Sequence, residues 1–170
     1  MERSKKHHCV RSAVVVVGIL AMTIVRAHAG SDADFPQGWE EWPVIATGTI
    51  AGNQEALPQD LPAIVQETFK TYNWIQDGKG SFYKVRINPE QKEASSGKKE
   101  FADATTAVME LVDIKVLFVT EHLLGEPRYG VYTFDGKDLM GSGQASLEAR
   151  TCTACHSGYK EFFSNGITKR

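Results

Sequence analysis

Residues 105–112, 114–121 and 129–134 form three apolar runs joined only by short polar connections, at Asp113 and at Gly125-Glu126-Pro127. Connections this short leave no room for a crossover helix, so consecutive runs must pair as an antiparallel meander. Two earlier segments extend the pattern. Residues 44–50 alternate well enough to be a strand, and residues 81–87 carry the branched and aromatic side chains suited to another. The expected fold is therefore α+β and β-rich, an antiparallel sheet of about five strands with a few helices. One helix is expected over residues 58–72, where Leu61, Ile64, Val65, Thr68, Phe69 and Tyr72 share a helical stripe, with Asp60 as candidate N-cap and Pro62 in the first turn. Residues 88–102 read as a polar surface excursion with one helical turn, residues 135–143 as a glycine-rich loop, and residues 145–159 as a closing helix.

The first 29 residues stand apart from this pattern. Residues 1–11 are polar and basic, residues 12–25 are a 14-residue apolar run, and Ala27-His28-Ala29 places small residues where a signal peptidase reads them. Residues 1–29 are expected to be an export signal and residues 30–170 a single domain, delivered to the periplasm. The apolar run is short for a membrane span. Cys9 lies in the basic stretch, far from the cleavage point, where it makes no lipoprotein signal. Cleavage removes five of the 19 Lys and Arg and one of the 21 Asp and Glu, which leaves an acidic domain with six more acids than bases. Such a balance has no basic excess to neutralise phosphates, and nucleic acid is not an expected partner.

Only two cysteines and two histidines remain after Ala29: Cys152, Cys155, His122 and His156. Three of the four fall in Cys152-Thr153-Ala154-Cys155-His156, a Cys-x-x-Cys-His motif. On a helical turn, positions three apart share a face. Both thiols can then add to the vinyl groups of haem while the adjacent imidazole reaches the iron from one side. Export supports this chemistry, because covalent haem attachment in bacteria takes place outside the cytoplasmic membrane. Three other readings use the same residues: a small-loop disulfide, a thioredoxin-type redox pair and a zinc site. The first leaves His156 unexplained, the second expects a βαβ setting, and the third needs a fourth ligand from His122 or a carboxylate. Fourteen residues follow His156, none of them Met or His, so a sixth iron ligand is expected only from upstream.

A β-rich exported chain with one haem motif near its C-terminus resembles the cytochrome P-460 family, which includes the beta-type cytochromes c′. Phe35-Pro36-Gln37-Gly38-Trp39-Glu40-Glu41-Trp42 resembles the opening segment of that family, Ile87-Asn88-Pro89-Glu90 the turn after an early strand, and residues 97–112 the next turn and strand. The resemblance implies a five-stranded antiparallel sheet, one covalent haem c, His156 as the metal ligand, an open opposite side and a homodimer. P-460-type members oxidise hydroxylamine or nitric oxide and carry a lysine cross-linked to the haem ring. Beta-type cytochromes c′ lack the link and bind small gases behind a hydrophobic cap. The position that resembles the cross-linking lysine is Met109, and a thioether cannot replace the amine nucleophile.

The functional expectation is an exported mono-haem cytochrome that binds, or turns over, nitric oxide or related nitrogen oxides and exchanges electrons with a periplasmic redox partner. An electron-transfer cytochrome with Met109 or His122 as sixth ligand is the second reading, and a hydroxylamine-oxidising oxidoreductase the third. Cofactor-binding candidates are Cys152, Cys155, His156, Met109, Arg128 and Arg150, the arginines as bidentate partners of haem propionates. Phe82, Phe101, Phe118 and Phe134 are candidates for the distal cap. Met140 is expected in a loop rather than on iron, Glu110 on the strand face opposite Met109, and Lys98, Lys99 or Lys115 as the cross-linking residue only in a shifted register.

Overall fold

The computed structural model describes residues 30–52, 60–95 and 101–158. Its centre is a five-stranded sheet in the order β1-β2-β3-β4-β5, every neighbouring pair antiparallel. The strands are β1 Val44–Ala51, β2 Gly80–Ile87, β3 Thr105–Leu111, β4 Val116–Leu123 and β5 Glu126–Thr133. Helices α1 (Ala63–Tyr72), α2 (Lys92–Ser95) and α3 (Ala149–Gly158) accompany it. The β-rich α+β expectation and the closing helix are both present. The expected signal segment, the start of the 58–72 helix, Lys98, Lys99 and Tyr159 lie outside the described residues. No helix among the described residues is long and apolar enough to cross a membrane.

Register separates the two sheet faces, because residues paired across strands point the same way and neighbours along a strand point oppositely. One face carries the row Val85–Met109–Phe118–Val131 and, beside it, Ala107–Thr120–Tyr129. A core of Ile50, Ile75, Leu111, Val116, Tyr129, Val131, Met140 and Leu147 forms there, with Met109, Phe118, Tyr72 and Cys152 packed against it. The other face holds Val108, Leu117, Val119 and Tyr132, covered by Ala33 and Trp39 of the opening segment. Glu110 lies on this second face, as alternation predicts for a residue next to Met109. It accepts from Arg86 Nε at 2.9 Å and lies 3.7 Å from Lys84 Nζ. Arg86 Nη1 also donates to the carbonyls of Glu40 and Trp42, at 2.9 and 2.8 Å, which ties the aromatic opening segment to the sheet.

Several boundaries differ from expectation for identifiable reasons. β4 ends later and β5 begins earlier than the apolar runs, because the connection is only Leu124-Gly125, with φ of 55° and 79°. Positive φ at both central residues is the two-residue turn whose twist matches a hairpin. The polar stretch Glu126-Pro127-Arg128 is thereby strand, tolerated because β5 is an edge and Pro127 has no N–H to donate. Asp60 does not cap α1: Pro62 is extended (ψ 143°), forces the helix to begin after it, and offers its carbonyl to Val65 and Gln66. The closing helix is interrupted at Glu148, whose ψ of 142° separates the short turn Ala145–Leu147 from α3.

The outer edge of β5 is covered rather than open. Asp32 and Ala33 donate their N–H groups to the Tyr129 carbonyl at 2.9 and 3.1 Å, and Ser31 Oγ accepts from Val131 N at 3.1 Å. A Cβ on Gly130 would stand 2.9 Å from the Ala33 carbonyl, so only glycine lets the opening segment lie this close. Asp138 fixes the start of that segment through Ser31 N at 2.9 Å and Ser31 Oγ at 2.7 Å.

Candidate functional site

Helix α3 presents the motif. Its N-terminus is held by the Glu148 carbonyl, which accepts from Thr151 N at 2.9 Å, and by Thr151 Oγ1 donating to the Ala145 carbonyl at 2.7 Å. Cys152, Cys155 and His156 are half-buried, whereas Thr153 and Ala154 between them are exposed. The three chemical side chains of the motif therefore share the sheet-facing side of the helix, as the three- and four-residue spacings require. Both thiols are free.

The surroundings are apolar and aromatic. Cys152 packs against the core that includes Leu111, Met140 and Leu147, with Met109, Tyr72 and Phe118 at its margin. Tyr72 and Phe118 meet edge to face, ring centroids 5.5 Å apart. The His156 imidazole stands at 66° to the Tyr129 ring with centroids 5.0 Å apart. On the same sheet face, one row further along β4, His122 lies against Phe101 at 5.2 Å.

Burial sets the protonation states. It pushes the Cys152 thiol up to about 11 and raises Cys155 as well, with Glu67 adding to the latter. Both sulfurs are thus neutral thiols at pH 7 rather than exposed reactive thiolates. Burial first, and the nearby His122 second, lower His156 to about 4. At neutral pH its imidazole is uncharged and keeps a lone pair, the form in which histidine binds a metal. The phenols of Tyr72 and Tyr129 are raised by burial and then by the two cysteines, Tyr129 to about 12, so each remains a protonated phenol at pH 7.

The residues singled out by sequence fall into two sets. Met109 and Phe118 share the motif's sheet face, Phe101 touches His122, and Met140 is a loop residue whose side chain is buried in the motif's core. Phe134 packs on Trp39 on the opposite face, and Phe82, paired with Thr49, is 40% exposed on that side. Arg128 is exposed and shares its face with Glu121, opposite to Tyr129 and the motif. Arg150 is exposed on α3, and Lys115 is exposed in the turn between β3 and β4. Sequence alone does not mark Tyr72, expected on the helical stripe, or Tyr129 as site residues. A signal for Tyr129 was present, since it falls on the same strand face as Val131.

The donor set fits covalently attached haem. Two neutral thiols three residues apart and a neutral imidazole next to the second face an apolar wall. Two buried indole N–H groups have no hydrogen-bond partner among the described residues, Trp74 Nε1 beside this core and Trp39 Nε1 on the opposite face. A scan against models of known protein families gave no match, and neither did a search of curated proteins.

Proposed function

We propose that the chain is an exported mono-haem c-type cytochrome of the P-460 and beta-type cytochrome c′ kind. Cys152 and Cys155 carry haem c, His156 binds its iron, and the other side is open to nitric oxide or a related small nitrogen oxide. One observation carries the reading: two free thiols and an imidazole on a single face of α3, turned toward the apolar row Met109–Phe118–Val131. A structural disulfide would give no reason for His156 to face inward. A zinc site would need a fourth ligand beside Cys152, Cys155 and His156.

Haem supplies a redox iron able to bind diatomic ligands. The chain's own residues do the rest. α3 fixes the spacing of the two sulfurs, and His156 offers a neutral nitrogen. Met109, Phe118 and Tyr72 exclude water, and an apolar wall of this kind favours neutral ligands over anions. Met109 provides no amine for a haem cross-link, which favours gas binding over hydroxylamine oxidation. Residues 1–29 act as the export signal in this reading, a periplasmic donor or acceptor exchanges electrons with the iron, and two copies form the homodimer.

The test is an absorption spectrum of the purified ferrous protein before and after carbon monoxide and nitric oxide. High-spin features that change sharply with both gases are expected. A low-spin spectrum indifferent to both would put Met109 or His122 on the iron and make electron transfer the function. A strongly red-shifted ferrous Soret band, with haem on a lysine peptide, would restore the hydroxylamine-oxidising reading.

A further inference from the structure

We propose that Tyr129 is a positioning residue for the axial histidine, fixing the plane of the His156 imidazole from the sheet side; the inference rests on the haem reading above and deepens it. The tyrosine ring meets the imidazole at 66° with centroids 5.0 Å apart, an edge-to-face contact of the kind that holds one ring by the face of another. Its row neighbours are Ala107 and Thr120, whose small side chains leave the space above the sheet to these two rings.

The tyrosine itself is anchored. The residue is 5% exposed, and its carbonyl accepts from both Asp32 N and Ala33 N, at 2.9 and 3.1 Å. The next residue, Gly130, has no room for a Cβ. A ring rooted in so constrained a stretch cannot follow the imidazole if it rotates. His156 hangs from α3 by a side chain with two rotatable bonds, which the helix backbone alone does not orient. The sheet supplies that orientation through the Tyr129 ring. Partners that orient a ligating histidine tune the metal without touching it.

The experiment reads the iron–histidine stretching band of the full haem-loaded ferrous protein by resonance Raman spectroscopy, together with its midpoint potential. Tyr129→Phe, which keeps the ring, should leave the band in place, whereas Tyr129→Leu should shift and broaden it and move the potential. Asp32→Pro, which removes one of the N–H groups holding the Tyr129 carbonyl from an exposed position, should give the same change in smaller measure and serves if Tyr129→Leu fails to fold. A wild-type band untouched by Tyr129→Leu, or by Asp32→Pro where that variant serves in its place, overturns this inference alone. Absence of the band in wild type, because no haem is held or its iron is low-spin, overturns the open-site haem reading and this inference with it.

Discussion

The two faces of the sheet are closed in different ways. Under the opening segment, Trp39, Val108, Leu117, Val119 and Tyr132 are all buried, and the one buried carboxylate among the described residues, Glu110, is answered by Arg86 and Lys84. Under the helices, Ile75, Leu111 and Val131 are as deeply buried, yet neither α1 nor α3 contributes a fully buried residue. What the helices bring instead is half-buried chemistry: two thiols, an imidazole and a phenol. The strand centres of the opening-segment face are packed like a protein interior. The helix-covered face, whose helices stop short of full burial, is the one where the proposed haem would sit.

Removing that component should show the contrast most strongly. Cys152→Ala with Cys155→Ala should abolish haem retention on a denaturing gel stained for peroxidase activity, while the wild type keeps one haem per chain in its intact mass. The opposite face should respond in stability alone. Arg86→Met leaves Glu110 with only the longer Lys84 contact and should cost about 3 kcal/mol in denaturant unfolding, as expected when one partner of a buried pair is lost. Its carbon monoxide spectrum should match the wild type; a changed spectrum would mean the faces are coupled.

Acid should act through the helix-covered face of the haem-free chain. His156 falls from 6.5 to about 4 in the folded protein, so between these values the unfolded chain binds the extra proton. Stability then decreases as pH falls through that window and is unaffected by this group above it. Unfolding midpoints of the haem-free protein between pH 7 and pH 4.5 should fall more steeply than those of His156→Phe. Met109→Leu, which conserves volume, should cost less than about 1.5 kcal/mol and leave the ferrous spectrum unchanged. A new high-spin spectrum in that variant would identify Met109 as an iron ligand. A small effect is expected from Trp74→Phe, which removes an indole N–H with no partner among the described residues and trims a ring packed on the core, at a cost of about 1 kcal/mol without haem. A larger loss measured only with haem attached would show that this N–H acquires a partner there.

The strands were legible because alternation and short connections are local signals, and so was the motif, because its spacing is itself the helix geometry. What escaped depends on contacts between distant residues or on backbone conformations that composition disguises. Leu124 looks like the end of an apolar run, yet it occupies a turn with φ of 55°. Arg86 and Glu110 are separated by 24 positions and meet only because β2 and β3 pair. Glu148 is an ordinary helix former by type, yet it breaks the closing helix. Arg128 shows the reverse: its chemistry suits a propionate, while strand alternation places it on the face away from Tyr129.

The break at Glu148 bears on how the protein matures. It separates α3 from the turn before it, and none of the side chains of Ala149–Gly158 is fully buried, so little packing holds this segment in place. If the chain carries the proposed haem, such a segment would open at little cost before attachment and offer Cys152-Thr153-Ala154-Cys155-His156 as unwound chain. Two thioether bonds to one rigid plate would then splint the segment across a full turn. On the haem proposal, the last element to settle would be set by the haem, with synthesis of the holoprotein and completion of the fold becoming the same event.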